Sequence, residues 1–410
     1  MMKIGAKDMN EQMVIEQFKQ AIMSNDTVAT RRCLNEHPFL VKQINEPWFS
    51  FETPAIVAAA AKGNREIVDI LLEYGADLNA KSSWWAGGFG VLHHGHHELS
   101  RYLIERGAFV DIHAAAELGM LDTVKEIVEM NPAAVNQRGP DGQVPLHFAT
   151  DYEIMDFLLA HGADIDRRDI DHGSTPAQWA IDNEAKCRFL IERGAAADIF
   201  MAINIGDAEL VSSFIRSSPE CLQAQVGRGS FTSGDSDGGH IYAYKIGSNT
   251  KPFHLAARRN HPEIVDLIAK HSPPNQRLLL ACMLADLVAV QTLLEQDSNL
   301  FQSLLLEDLS LIADAAWNNE VQAVRVMLEA SFPADSRRDD NDFTALHNAA
   351  MRGNDEAVRL LLAHGASVHL THGHGGAALG CCKWGAVNIR DSAGNYHAVA
   401  ELLIQAGAQE

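Results

Sequence analysis

Basic charge is what this sequence has least of. Lys and Arg number 33 against 54 Asp and Glu, a formal net charge of −21 at pH 7 in 410 residues. A chain so acidic repels phosphate backbones and anionic lipid unless a basic patch overrides its field, and no such patch stands in the sequence. No nucleic-acid or membrane partner is expected. Long apolar runs are missing too. The longest uncharged one, Leu278 to Ala285, is far short of a membrane span. Residues 1–10 carry no apolar core of a secretory signal. The six cysteines stand at 33, 187, 221, 282, 381 and 382 without a CxxC pair. That usage fits a reduced cytoplasm better than a disulfide framework. Phosphate loops of the GxxxxGK[ST] kind, GxSxG elbows and GxGxxG fingerprints are absent, so no cofactor is expected. Hydrophobic residues at 47% and charged residues at 21% are ordinary for folded protein, which excludes wholesale disorder.

What is present is a period. LLEYGADLN (71–79), LIERGAFVD (103–111), LLAHGADID (158–166), LIERGAAAD (190–198), LLAHGASVH (361–369) and LLIQAGA (402–408) repeat one phrase. A second phrase precedes it: TPAIVAAAAKG (53–63), VPLHFAT (144–150), TPAQWAI (175–181), KPFHLAARRN (251–260) and TALHNAAMRGN (344–354). Successive phrases lie about thirty residues apart. Thr before Pro caps a helix whose first position tolerates the missing N–H. Alanine pairs such as Ala256–Ala257 and Ala349–Ala350 let neighbouring helices approach closely. Ile67, Val68, Leu71 and Leu72 set the apolar stripe of a second helix. Gly75, Gly107, Gly162, Gly194 and Gly365 follow as left-handed C-caps.

These phrases resemble the ankyrin repeat, with its T-P-L-H-x-A signature, from about residue 12 to 408. The resemblance implies an all-α ankyrin-repeat solenoid of stacked helix-turn-helix units with protruding turn fingers. We expect N-terminal capping helices in 1–45 and a continuous array of about eleven repeats over 46–410, with an insertion loop at 224–247. It also implies a binding scaffold that presents a concave surface to a protein or peptide partner. The acidic net charge makes that surface acidic and favours a partner of basic character.

Departures from the repeat mark where function can sit. About four residues are missing after His94, Ala149 and Ala180. The insertion AQVGRGSFTSGDSDGGHIYAYKIG holds six glycines between 227 and 247. Its first half reads as flexible and His240 to Ile246 as strand-like. GDSDGG imitates a calcium loop weakly, with no Glu at the twelfth position from Asp235 or Asp237. Of 19 histidines, nine fall at repeat positions: His93, His113, His147, His254 and His347 in the T-P-L-H slot, His96 and His261 in the inter-helix turn, His161 and His364 before the C-cap. HHGHH (93–97) and THGHGG (371–376, near Cys381 and Cys382) raise a zinc question. The first lacks an HExxH register, and adjacent cysteines seldom share an ion, so no metal is expected. Trp84, Trp85 and Phe89 sit on one finger. With His94, His240, Tyr242, Tyr244, His372 and His374 they are the candidate binding residues. The alternative is a small-molecule binder or cofactor-free enzyme of lyase, dehydratase or isomerase type. It would carry out proton transfer in a pocket closed by 224–247, with His240, Tyr242, Tyr244 and Lys245 as candidate acids and bases.

Overall fold

The computed structural model describes residues 6–228, 231, 239–338 and 341–409. The chain is helical; among the described residues one two-stranded antiparallel pairing joins Arg337–Arg338 to Phe343–Thr344, beside isolated bridges Phe49–Thr53 and Thr371–Ala377. It divides into two compact units: Met1–Met201 with Ala224–Thr250, and Ala202–Gln223 with Lys251–Glu410. The described part of the insertion therefore belongs with the repeats that precede it. No helix among the described residues is long and apolar enough to cross a membrane.

In the first unit, helices Ala6–Met23, Thr27–Glu36 and Pro38–Lys42 bury Phe18, Ile22, Leu34 and Leu40. Helix pairs then follow in repeat register, such as Ala55–Ala61 with Arg65–Glu73 and Ile112–Glu117 with Leu121–Met130. Inner helices are alanine-rich; Ala59, Ala114 and Ala115 are wholly buried. Outer helices bury one stripe, Ile67, Val68 and Leu71 in the first pair. The inner helices of two successive repeats are short, Pro145–Phe148 and Pro176–Trp179. Before the outer helix His97–Glu105 the inner helix is reduced to turns. These are the three places where the sequence is short.

The second unit keeps longer pairs, among them Pro274–Met283 with Leu287–Gln296 and Ala345–Arg352 with Asp355–Ala363. Buried asparagines tie one repeat to the next: Asn348 and Asn354 donate to the carbonyls of Ala313 and Ala316 at 2.9 and 2.8 Å. In the last pair, Ala378–Asn388 with Tyr396–Gln405, a Cβ on Gly385 would stand 2.0 Å from the Met351 carbonyl. Only glycine permits that approach.

Three of the T-P-L-H histidines act alike as cap elements. In His147, His254 and His347, Nδ1 accepts the backbone N–H of Val144, Lys251 and Thr344 at 3.1, 3.1 and 3.2 Å. Nε2 of His147 and His347 then donates to a carbonyl of the following finger, Ser174 or Leu370. Burial holds His147 and His254 neutral.

The strand expected at His240–Ile246 is not formed. The segment is a helical turn, with Tyr242, Ala243 and Tyr244 N–H groups bonded to the carbonyls of Gly239, His240 and Ile241. Ile241 and Tyr242 are buried at consecutive positions, which an alternating strand cannot provide. The glycine-rich stretch expected to be flexible, and GDSDGG within it, fall almost wholly outside the described residues.

Candidate functional site

In the first unit three fingers interlock through their backbones. Asp141 N–H donates to the Gly87 carbonyl at 3.2 Å, and the Asp141 carbonyl accepts Ile170 N–H at 2.9 Å and Asp171 N–H at 3.2 Å. A Cβ on Gly87, which has φ +137°, would lie 2.0 Å from the Gly139 carbonyl. The bonds from Ile170 and Asp171 to the Asp141 carbonyl set Asp141 and Asp171 side by side.

His172 completes the group. Its Nδ1 lies 3.0 Å from Oδ2 of Asp169, a carboxylate buried beneath the finger. Asp169 also accepts the N–H groups of His172 and Ser174. Nε2 of His172 is thereby turned toward Asp171, 3.6 Å from its Oδ2. One ligand-capable atom each from Asp141, Asp171 and His172 lies within 4.8 Å of the other two. Burial, then the charge of Asp171, pushes the Asp141 carboxyl up to about 6. Burial works against charge on His172, but the Asp169 hydrogen bond and the three surrounding carboxylates hold its pKa above the ordinary value. The Trp84 indole N–H is buried and makes no well-formed hydrogen bond, yet stands near enough to Asp141 to favour its charged form.

These groups floor a cavity of about 510 Å³ whose lining includes Phe49, Phe51, Phe89, His94 and Tyr244. His172 meets the rings of Trp179 and Tyr244 edge-on at 5.1 and 5.4 Å and lies near-parallel to His240 at 6.0 Å. His94 stacks on Phe89, and burial, then the neighbouring His93 and His96, takes its pKa down to about 4.

The turn at 239–247 is pinned beside this cavity. Wholly buried Tyr242 donates to Oδ2 of half-buried Asp198 at 2.7 Å, and Asp198 also accepts Met201 N–H. Ile241 N–H donates to Ser174 Oγ, and Lys245 pairs with Asp182 at 2.5 Å. Tyr244 is 71% exposed.

Sequence profiles described as "Ankyrin repeats (3 copies)" match residues 112–202 and 278–372, and one described as "Ankyrin repeat" matches 52–83. The chain belongs to the ankyrin-repeat family. It is 31% identical over 113 residues to alpha-latrotoxin-Lhe1a of Latrodectus hesperus, covering 27% of this chain and 6% of the toxin. It is 30% identical over 135 residues to the Ankyrin repeat and SAM domain-containing protein 6 of Mus musculus, covering 29% of this chain and 15% of that protein. Fowlpox virus putative ankyrin repeat protein FPV222 is 29% identical over 135 residues, 29% of this chain and 18% of that one. The chain thus spans less than a fifth of the length of these curated relatives. The human ASB11 ankyrin repeat domain aligns with 74% of this chain and all of its own, at 19% identity and a TM-score of 0.28.

Within this ankyrin-repeat protein the sequence-predicted residues separate into groups. Phe89, His94 and Tyr244 line the cavity, and His240 stands beside His172. Trp84 packs edge-on against Phe51 at 4.8 Å, while Trp85 is 66% exposed. Tyr242 is wholly buried and anchors its turn; Lys245 is held by Asp182. His372 and His374 belong to the second unit, where His372 stacks on Phe343 at 4.2 Å. The histidines of HHGHH fan apart: His93 pairs with Asp111, His94 faces the cavity and His96 bonds the Ala61 carbonyl. Asp141, Asp171, His172, Phe49 and Phe51 were missed by residue-type reasoning. Their signal was register: Asp141 and Asp171 lie thirty residues apart, one repeat, so stacking places their fingers together.

Proposed function

We propose that this ankyrin-repeat chain is a scaffold whose main contact site is the cavity of the first unit, and that it takes a basic side chain of a protein or peptide partner. One observation carries the reading: two carboxylates, Asp141 and Asp171, sit at the floor of a cavity lined by Phe49, Phe51, Phe89 and Tyr244. A guanidinium or ammonium group gains both ion pairing and ring-face contact in such surroundings. The net charge of −21 favours the same partners and disfavours nucleic acid. All six cysteines are free, which suits the cytoplasm. Fluorescence anisotropy with arginine-bearing peptides tests it. Asp141→Asn with Asp171→Asn should weaken binding about 10- to 100-fold, the worth of charge-assisted hydrogen bonds. Equal binding of peptides with norleucine in place of arginine would sink the reading.

A second reading is favoured by the Asp169–His172 pair: an oriented imidazole beside the Asp141 carboxyl is equipped for cofactor-free proton transfer on a small molecule. His240 and Tyr244 would then flank the reacting group. Deuterium exchange into small carbonyl compounds by the full chain, abolished by His172→Gln, would support it; no exchange would dismiss it.

A further inference from the structure

We infer that Asp141, Asp171 and His172 form a binding site for a divalent transition-metal cation. One imidazole nitrogen and two carboxylates are a donor set suited to zinc and its first-row neighbours. One such atom from each residue already lies within 4.8 Å of the others. His172 Nε2 and Asp171 Oδ2 are 3.6 Å apart, against about 3–3.4 Å implied by bonds of about 2.1 Å at octahedral or tetrahedral angles.

Three further observations point the same way. Buried Asp169 holds Nδ1 of His172, so the lone pair of Nε2 is the one presented to the two carboxylates. Outer carboxylates orient metal-binding histidines in this manner. The backbone bonds from Gly87 to Asp141 and from Asp141 to Ile170 and Asp171 fix the donors on interlocked fingers. Beside Asp141, the buried Trp84 N–H lacks a well-formed partner and is placed to donate to a ligating carboxylate. The cavity above leaves room for water or a ligand in the remaining coordination positions. No sequence motif announced the site, because its donors come from two repeats.

The site shares the floor of the proposed basic-side-chain pocket, and the cation and that side chain exclude each other. The test therefore uses no peptide. Zn²⁺ is titrated into the full chain by calorimetry, and Co²⁺ is followed by its visible d–d absorption. One saturable high-affinity site is expected, with no comparable binding of Mg²⁺. Asp171→Asn and His172→Gln should each weaken it at least 10-fold. The apo Asp171→Asn protein should still unfold cooperatively near the wild-type temperature, because the substitution relieves the repulsion with Asp141 as it removes the attraction to His172. Should that variant fail to fold, Asp141→Asn reads the same loss. Absence of saturable binding, or affinity and stoichiometry unchanged in the variants, overturns the proposal; the second result marks adventitious surface histidines. Failure of arginine-peptide binding leaves this titration unaffected.

Discussion

The inner helices Pro145–Phe148 of the first unit and Ala345–Arg352 of the second start in the same way and end differently. Each carries at its third position a histidine whose Nδ1 takes the cap N–H and whose Nε2 reaches a carbonyl of the next finger. The longer helix runs eight residues to Gly353, a left-handed C-cap, and Asn354 then ties it to the preceding repeat. The shorter one stops after four residues, and the Lys186 ammonium donates to the His147 carbonyl at 2.7 Å in place of a further turn. Loss of one turn removes about 5 Å of helix from the inner face. In the first unit the space beside the shortened helices holds the turn at 239–247 and the cavity with its acidic floor. A deletion and a distant insertion thus act together: the repeats are shortened and the later segment packs where they are short.

The sharpest way to break this pairing is Tyr242→Ala. It empties a fully buried aromatic site and leaves Asp198, half-buried, without its hydroxyl donor. The first unit should lose about 3–5 kcal/mol, read by hydrogen exchange of its amides, with the second unit's amides unchanged. Full protection in the variant would show that the shortened repeats stand without the insertion.

Acid tests what the two regions share. Burial takes the pKa of His147 down to about 4 and that of His254 well below its ordinary value. The unfolded chain, with histidine near 6.5, binds the extra protons. The contribution of each group is therefore present above pH 6.5 and lost as pH falls toward 4. For His147 that loss is about 3 kcal/mol. Urea unfolding at pH 7 and pH 4.5 should show loss of stability in both units. A fall confined to one would mean the cap histidines differ after all.

Close backbone approach separates them again. Gly385→Ala forces a Cβ against the Met351 carbonyl and should cost the second unit about 1–3 kcal/mol, leaving Zn²⁺ and peptide titrations of the first unit unchanged. Gly87→Ala meets an equally hard obstacle at a finger and a positive φ. It should also weaken binding at the cavity, because Gly87 packs on Gly139 and its carbonyl accepts Asp141 N–H, so the Asp141 finger would shift. Calorimetry on the two variants, side by side, distinguishes a packing glycine from a site-forming one.

Much of this was legible in the sequence, and for physical reasons. Capping, alanine pairs and the C-cap glycines are local rules, so the repeat and its helices follow from short phrases such as TALHNAAMRGN. The shortened repeats were visible as missing residues after His94, Ala149 and Ala180. The site was legible only in part. Phe89, His94 and Tyr244 stood out as unusual residues, whereas Asp141, Asp171 and His172 occupy ordinary turn positions of their own repeats. Their proximity arises from stacking and from backbone bonds between neighbouring fingers, which composition does not display. Tyr242 drew attention by its type as a contact residue; in the structure it is wholly buried and donates to Asp198, 44 residues earlier.

The smallest expected effect concerns Trp84 and Trp85, adjacent residues in different surroundings. Trp85 is 66% exposed, and its replacement by Ala should change stability by no more than about 0.5 kcal/mol. Trp84 is half-buried against Phe51, with its indole N–H directed into the protein near Asp141. Trp84→Ala should therefore lower the melting temperature measurably and disturb the cavity floor as well. If Trp85 serves as an anchor for a partner, Trp85→Ala weakens peptide capture while the melting curve stays in place. A shift of several degrees on Trp85→Ala would show instead that the exposed ring packs on its finger in solution, and the contact surface would then be confined to the cavity.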